Sequence, residues 1–147
     1  MSKDLHLRLI DPAQQRALGN FTLGFGAPVR VEGIQKLANQ WLMLFLTPKG
    51  SHPWRQTEGT NFPYLLTNNV VDLGSMQTAV LEYIEDATAQ LKRIQQLRQG
   101  VPADEALNTV NLTRFTQIDA NSFDIWVRVI NSSRSTLSVL IPYARFR

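Results

Sequence analysis

Cysteine is absent from the 147 residues, which excludes disulfides and thiolate metal sites and leads to the expectation of a protein assembled inside a cell. Histidine is scarce: His6 and His52 are the two present. With no Asp-rich loop beside them, no zinc or calcium ligand spacing is met, and no metal or other cofactor is expected. A phosphate cradle is missing too, since "LGFGAP" lacks both the glycine spacing and the lysine. No long hydrophobic run exists; "WLMLFL" is too short to cross a bilayer. The start, "MSKDLHLRLIDP", interrupts its leucines with polar residues, so neither a cleaved signal nor a membrane partner is expected. Nor is there a block of one charge. The net charge is +3, and although the pI is near 9.6, the basic residues are dispersed, which argues against a nucleic-acid partner.

What remains is an ordinary globular composition, 44% hydrophobic and 18% charged, in a chain long enough to bury roughly two thirds of the surface its unfolded form exposes. Residues 5 to 10, "LHLRLI", alternate as a half-buried strand does, and "NFTLGFGAPVRV" reads as extended chain and turn. Residues 1 to 30 are therefore expected to form an arm or short hairpin, and residues 31 to 147 a single domain.

From Ile34 the period becomes helical. Ile34, Leu37, Ala38, Trp41, Leu42 and Phe45 share one face, while Met43, Leu44 and Leu46 widen the stripe and predict burial around most of the helix end. Pro48 forces Thr47 out of the helical region and ends it. A second helix carries Met76, Val80, Tyr83, Ile84, Ala87, Leu91 and Ile94 on one face. Ser75 is its expected N-cap, Lys92, Arg93 and Arg98 lie toward its end, and Gly100 with Pro102 stop it. "RQGVPADEAL" then reads as a linker.

Beyond it the period is two. Val110, Leu112 and Ile118 alternate with Asn111, Thr113 and Gln117; Phe123, Ile125, Val127 and Val129 with Asp124, Trp126 and Arg128; Leu137, Val139, Ile141 and Tyr143 with small or polar neighbours. "DANS" and "NSSRS" supply the turns. The expected fold is α+β: two helices on one face of a C-terminal three-stranded antiparallel meander.

Candidate chemistry is thin. His52 in "GSHPWR" has Ser51, Arg55 and Glu58 nearby in sequence, but a triad is a spatial arrangement that sequence proximity does not supply, and it reads as a surface histidine. A glycoside hydrolase would need two carboxylates about 5 to 9.5 Å apart. Glu58 with Glu82, Glu85 or Asp86 could be paired so, yet the helical acids read as the solvated flank of an apolar stripe. Trp41 belongs to the core stripe. Trp126 is out of phase with the apolar face of its strand, where an exposed indole would anchor an interface. The last strand, "LSVLIPYARFR", is apolar with a basic end, and Pro142 in it suits an edge. An exposed edge is a template for a strand from another chain.

The segment "GIQKLANQWLMLFLTPKGSHPWRQTEGTNFPYLL" and the order of elements after it resemble the baseplate wedge and sheath-initiator family of contractile phage tails, related to a baseplate component of type VI secretion systems. The matching positions are Leu42, Leu44, Thr47, Gly50, Pro53, Gly59, Leu65 and Leu66, followed by a long amphipathic helix and a C-terminal sheet. Glu105 in "ADEALNTV" stands for the glutamate of the family's Glu-Pro-Arg motif, whose proline and arginine are not present here. The resemblance implies a non-enzymatic virion protein, assembled in the host cytoplasm into the tail baseplate. It would link the wedge to the first sheath ring and start sheath assembly by β-augmentation. Its implied partners are the tail sheath protein and the baseplate wedge proteins, with the central hub or tube as a further neighbour. The sheath would meet Trp126, Arg128, Leu137, Val139, Ile141, Tyr143 and Arg145. The wedge would meet Pro53, Trp54, Arg55, Phe62, Tyr64 and Glu105. The alternative the family suggests is a peptidoglycan-cleaving tail lysozyme.

Overall fold

A computed structural model describes residues 10–11, 16–17, 31–65, 72–119 and 122–144. The expected strand over residues 5 to 10 and the turn-rich segment after it lie largely outside them. Two short strands are described there, β1 (Ile10–Asp11) and β2 (Arg16–Ala17), paired antiparallel with Ile10 opposite Ala17.

The architecture is α+β, as the change of period predicts. Helix α1 (Gly33–Leu46) and helix α2 (Leu73–Leu97) precede strands β3 (Leu107–Asp119), β4 (Ser122–Asn131) and β5 (Thr136–Ala144), which form an antiparallel sheet in the order β3-β4-β5. Helix α2 packs on β3, α1 on β4 and β5, and the two helices on each other. The core is what the two stripes and the inward strand positions enclose: Leu37, Trp41 and Phe45 from α1, Val80, Ile84 and Leu91 from α2, Val110, Ile125, Val127, Val129 and Val139 from the sheet. Four rings run through it in series. Trp41 lies 5.0 Å from Phe45, Phe45 4.3 Å from Phe62, and Phe62 4.6 Å from Tyr143, centroid to centroid. The Trp41 indole N–H donates to Thr88 Oγ1 at 3.1 Å, satisfying the one polar atom that the ring brings inside.

Four local expectations need correction. The end of α1 is not buried all round, for Met43 is 57% and Leu46 39% exposed; the helix has one partner layer, and its far side meets water. The N-cap of α2 is Asp72, not Ser75. Its Oδ2 accepts the Ser75 backbone N–H at 3.1 Å and the Ser75 hydroxyl at 3.2 Å, the geometry of a cap satisfying the third helical amide. Those hydrogen bonds to the ionised carboxylate hold the Asp72 pKa below its usual value. Ile118 does not share the inward face with Val110 and Leu112. The β3–β4 register shifts between Leu112 and Arg114 and again between Gln117 and Asp119, so an extra residue reverses the alternation each time. Phe115 takes the inward place, stacked 5.6 Å from Phe123, and Ile118 is 60% exposed.

Finally, "RQGVPADEAL" is no linker. Gln95 donates to the Glu105 carbonyl at 2.8 Å and accepts the Leu107 N–H at 2.8 Å. Asn131, fully buried, donates to the Asp104 carbonyl at 2.8 Å and accepts the Ser135 N–H at 2.8 Å. One side chain thus joins the turn before β3 to the turn between β4 and β5. In the latter, Arg134 occupies the left-handed region at φ 63°, where a three-residue hairpin loop needs it.

Candidate assembly surfaces

The first surface is the loop between α1 and the aromatic turn Phe62–Tyr64. Proline at Pro48 and Pro63 and glycine at Gly50 and Gly59 keep the chain from continuing either helix or strand, yet its neck is heavily bonded. Lys49 N–H donates to Thr60 O at 3.0 Å and Thr60 N–H to Thr47 O at 2.9 Å. The Thr60 hydroxyl, buried, donates to Phe45 O at 2.7 Å and accepts the Phe62 N–H at 3.2 Å. Gln90, reaching across from α2, accepts the Gly59 N–H at 2.9 Å and donates to Gly59 O at 2.8 Å, and it also donates to Asp86 at 2.9 Å. Gly59 has φ +97°, and a Cβ there would stand 2.4 Å from Thr47 O. Only glycine fits.

Above this neck the chain folds back in short turns, with Ser51 N–H bonded to Pro48 O, Arg55 N–H to His52 O and Glu58 N–H to Arg55 O at 3.0–3.2 Å. At the tip stand Pro53, Trp54 and Arg55, all exposed. Trp54 is 89% exposed, and Arg55 pairs loosely with Glu58 at 3.4 Å. Tyr64 is partly exposed nearby in sequence. Phe62, predicted as a contact residue, is instead 1% exposed and belongs to the ring series of the core. Glu105 is held in the turn before β3 by Lys36 Nζ at 2.7 Å.

The second surface is the edge of β5. Asn131 N–H donates to Ser135 O at 3.1 Å, and the register continues without a shift through Ile130–Thr136 to Ser122–Ala144. Since successive strand residues direct their N–H and C=O to opposite sides, residues 137, 139, 141 and 143 bond to β4. Thr136, Ser138, Leu140 and Pro142 then aim their backbone groups at the other edge. Pro142 therefore costs the sheet no ladder hydrogen bond. It stands where its missing N–H would face outward. Among the described residues no strand is hydrogen-bonded to this edge, although β1 lies close to β5.

The same phase corrects the side-chain assignment. Val139 and Ile141 are buried, Leu137 is half-buried against the core, and Tyr143 packs on Phe62 and donates to the carbonyls of Phe62 and Pro63 at 3.4 Å. All four lie on the face under the helices, Val139 and Ile141 closed off there, Leu137 and Tyr143 with part of their surface exposed. Phe62 and Tyr143, predicted for two different partners, meet each other instead. Trp126 and Arg128 do lie on the opposite face of β4, Trp126 half-buried between Leu140 and Arg114 on the flanking strands and Arg128 exposed. Arg145 lies outside the described residues.

The carboxylates considered for hydrolysis are dispersed in their contacts: Glu58 toward Arg55, Asp86 toward Gln90 and, at 3.9 Å, Lys49, with Glu82 and Glu85 exposed on α2. Among the described residues no cluster of three potential metal ligands occurs, and no helix is long and apolar enough to cross a membrane. Gln90 and Thr60, which shape the loop, carried no sequence signal, for their importance depends on elements that meet only in the fold. Compared with family models, curated proteins and solved structures, the chain matches none.

Proposed function

We propose that this chain is a structural component of a contractile-tail baseplate that joins the wedge to the first sheath ring and templates sheath assembly by accepting a strand at β5. The observation that carries the reading is the phase of β5. Its outward backbone groups at Thr136, Ser138 and Leu140 form a short run of donors and acceptors, closed at Pro142 by the absence of an N–H. A strand added there would extend the sheet beneath α1, so alternate apolar side chains of the partner would continue the core layer.

The test is co-assembly with the cognate sheath subunit, comparing wild type with Leu140→Pro. That substitution removes an outward N–H and leaves the bonds to β4 in place, whereas truncation before β5 would remove a third of the sheet. Val139→Pro, which breaks a bond to β4, serves as the contrast for folding. Seeding by the wild type and its loss in a folded Leu140→Pro protein support strand acceptance. Equal seeding by both excludes it.

A further inference from the structure

We propose that the β1–β2 pair is a displaceable cover on the outer edge of β5, so that a partner strand is accepted only when β1 moves aside; this rests on the strand-acceptance reading above. An exposed strand edge is ordinarily guarded by charge, by a bulge, by proline or by brevity. Strand β5 runs for nine residues, holds no charged side chain between Thr136 and Ala144, and pairs with β4 without a register shift. Its own sequence blocks one end alone, at Pro142. The opposite edge of the sheet differs, for β3 shifts register at three places and carries Arg114 and Asp119. One edge is guarded from within and the other is not.

What the chain sets beside the unguarded edge is β1. Helix α1 lies over the sheet and packs on both β4 and β5, whereas β1 approaches β5 with no comparable approach to β4. That is the position of a lateral neighbour, because a strand lying across the face would meet β4 as well. Yet β1 is paired with β2 in a separate two-stranded sheet, and among the described residues it forms no ladder with β5. It occupies the edge without closing it.

Covering without pairing makes a gate. Strands β1 and β2 are two residues long each, and a two-stranded pairing that short has little stability of its own. A partner strand binds only those molecules whose edge is open, so the cover lowers apparent affinity by the open fraction and leaves the edge itself unchanged. Once β1 is displaced, the outward groups of Thr136, Ser138 and Leu140 gain from the partner the ladder bonds that β1 does not supply. That gain drives the exchange.

The absence of cysteine allows the cover to be locked in the full chain by a single engineered disulfide. Ile10→Cys is combined in turn with Ser138→Cys, Leu140→Cys and Pro142→Cys, since a disulfide forms only where the Cα atoms stand within about 7 Å. One of these pairs is expected to oxidise within the monomer; the locked chain should lose sheath seeding, and reduction should restore it. The double variant Ile10→Pro with Asp11→Pro leaves β1 no N–H with which to pair, and is expected to shorten the seeding lag several-fold. Amide hydrogen exchange reads the cover with no partner present. In that double variant Thr136, Ser138 and Leu140 should exchange several-fold faster than in wild type, with Leu137, Val139 and Ile141 unchanged. Exchange at the wild-type rate, failure of every pair to oxidise, or seeding by a locked chain overturns the cover; strand acceptance is then judged separately, on wild type against Leu140→Pro. Faster exchange in a chain that never seeds sheath supports the cover and removes the strand-acceptance reading instead.

Discussion

Gln90 holds Gly59 as a neighbouring strand would, its amide oxygen taking the glycine N–H at 2.9 Å and its amide nitrogen giving to the glycine carbonyl at 2.8 Å. Five residues later on the same helix, Gln95 does the same for the turn before β3, with 2.8 Å bonds to the Glu105 carbonyl and the Leu107 N–H. Two side-chain amides on α2 thus satisfy the backbone of two irregular segments. That is why both segments can be free of regular structure and still be fixed.

Gly59→Ala is expected to destabilise the fold well beyond the strain of a left-handed alanine, which is about 1 to 2 kcal/mol. The new Cβ would stand 2.4 Å from the Thr47 carbonyl oxygen, and backbone cannot swing aside as a side chain can. Gly100→Ala provides the comparison. It shares a positive φ, +74°, but a Cβ there meets nothing within 4 Å, so only the conformational strain remains. Urea titration of the two variants should separate them, with Gly59→Ala the less stable.

Asp72 gives a stability term that depends on pH. Its carboxylate accepts from the Ser75 amide and hydroxyl, and its folded pKa lies below the ordinary 3.8. The folded state therefore binds the proton less readily than the unfolded state. The stabilisation is fully present above the unfolded value and is lost as pH falls through the folded one. Asp72→Asn keeps an oxygen acceptor without the charge. It is expected to lower the melting temperature at pH 7, and to narrow the gap from wild type as pH drops below about 4.

The sheet shows what alternation can and cannot reveal. Period two placed β4 correctly, since Phe123, Ile125, Val127 and Val129 are all buried. It placed Ile118 wrongly, because the register shifts in β3 leave no mark in composition. Helix periods were legible for a similar reason: a stripe such as Met76, Val80, Ile84, Ala87 and Leu91 is long enough to average out local exceptions. The cap at Asp72, the clamp at Gln90 and the burial of Phe62 were not legible. Each depends on a partner distant in sequence or on a hydrogen-bond angle. The consequence can be measured. Ile118→Asn is expected to change stability by no more than about 0.5 kcal/mol. Phe115→Ala, which removes the ring stacked on Phe123, should cost more. Equal effects would mean that β3 keeps its parity.

Phe62 and Trp54 come from one aromatic loop that sequence treats as a single surface, and the fold gives them opposite work. Phe62 is 1% exposed and Trp54 89%. Phe62 lies between Phe45 and Tyr143, with centroids 4.3 and 4.6 Å away, so it couples α1 to β5. Phe62→Ala opens a cavity at the centre of that series and is expected to cost about 3 to 5 kcal/mol, enough to threaten folding of a domain of ordinary stability. Phe62→Leu keeps most of the volume and is the variant to carry into binding assays. Trp54→Ala should leave the unfolding curve within about 0.5 kcal/mol of wild type. If Trp54→Ala were instead as costly as Phe62→Ala, the indole would be folded against the protein in solution, and the loop would be a lid on the core rather than a surface for a partner.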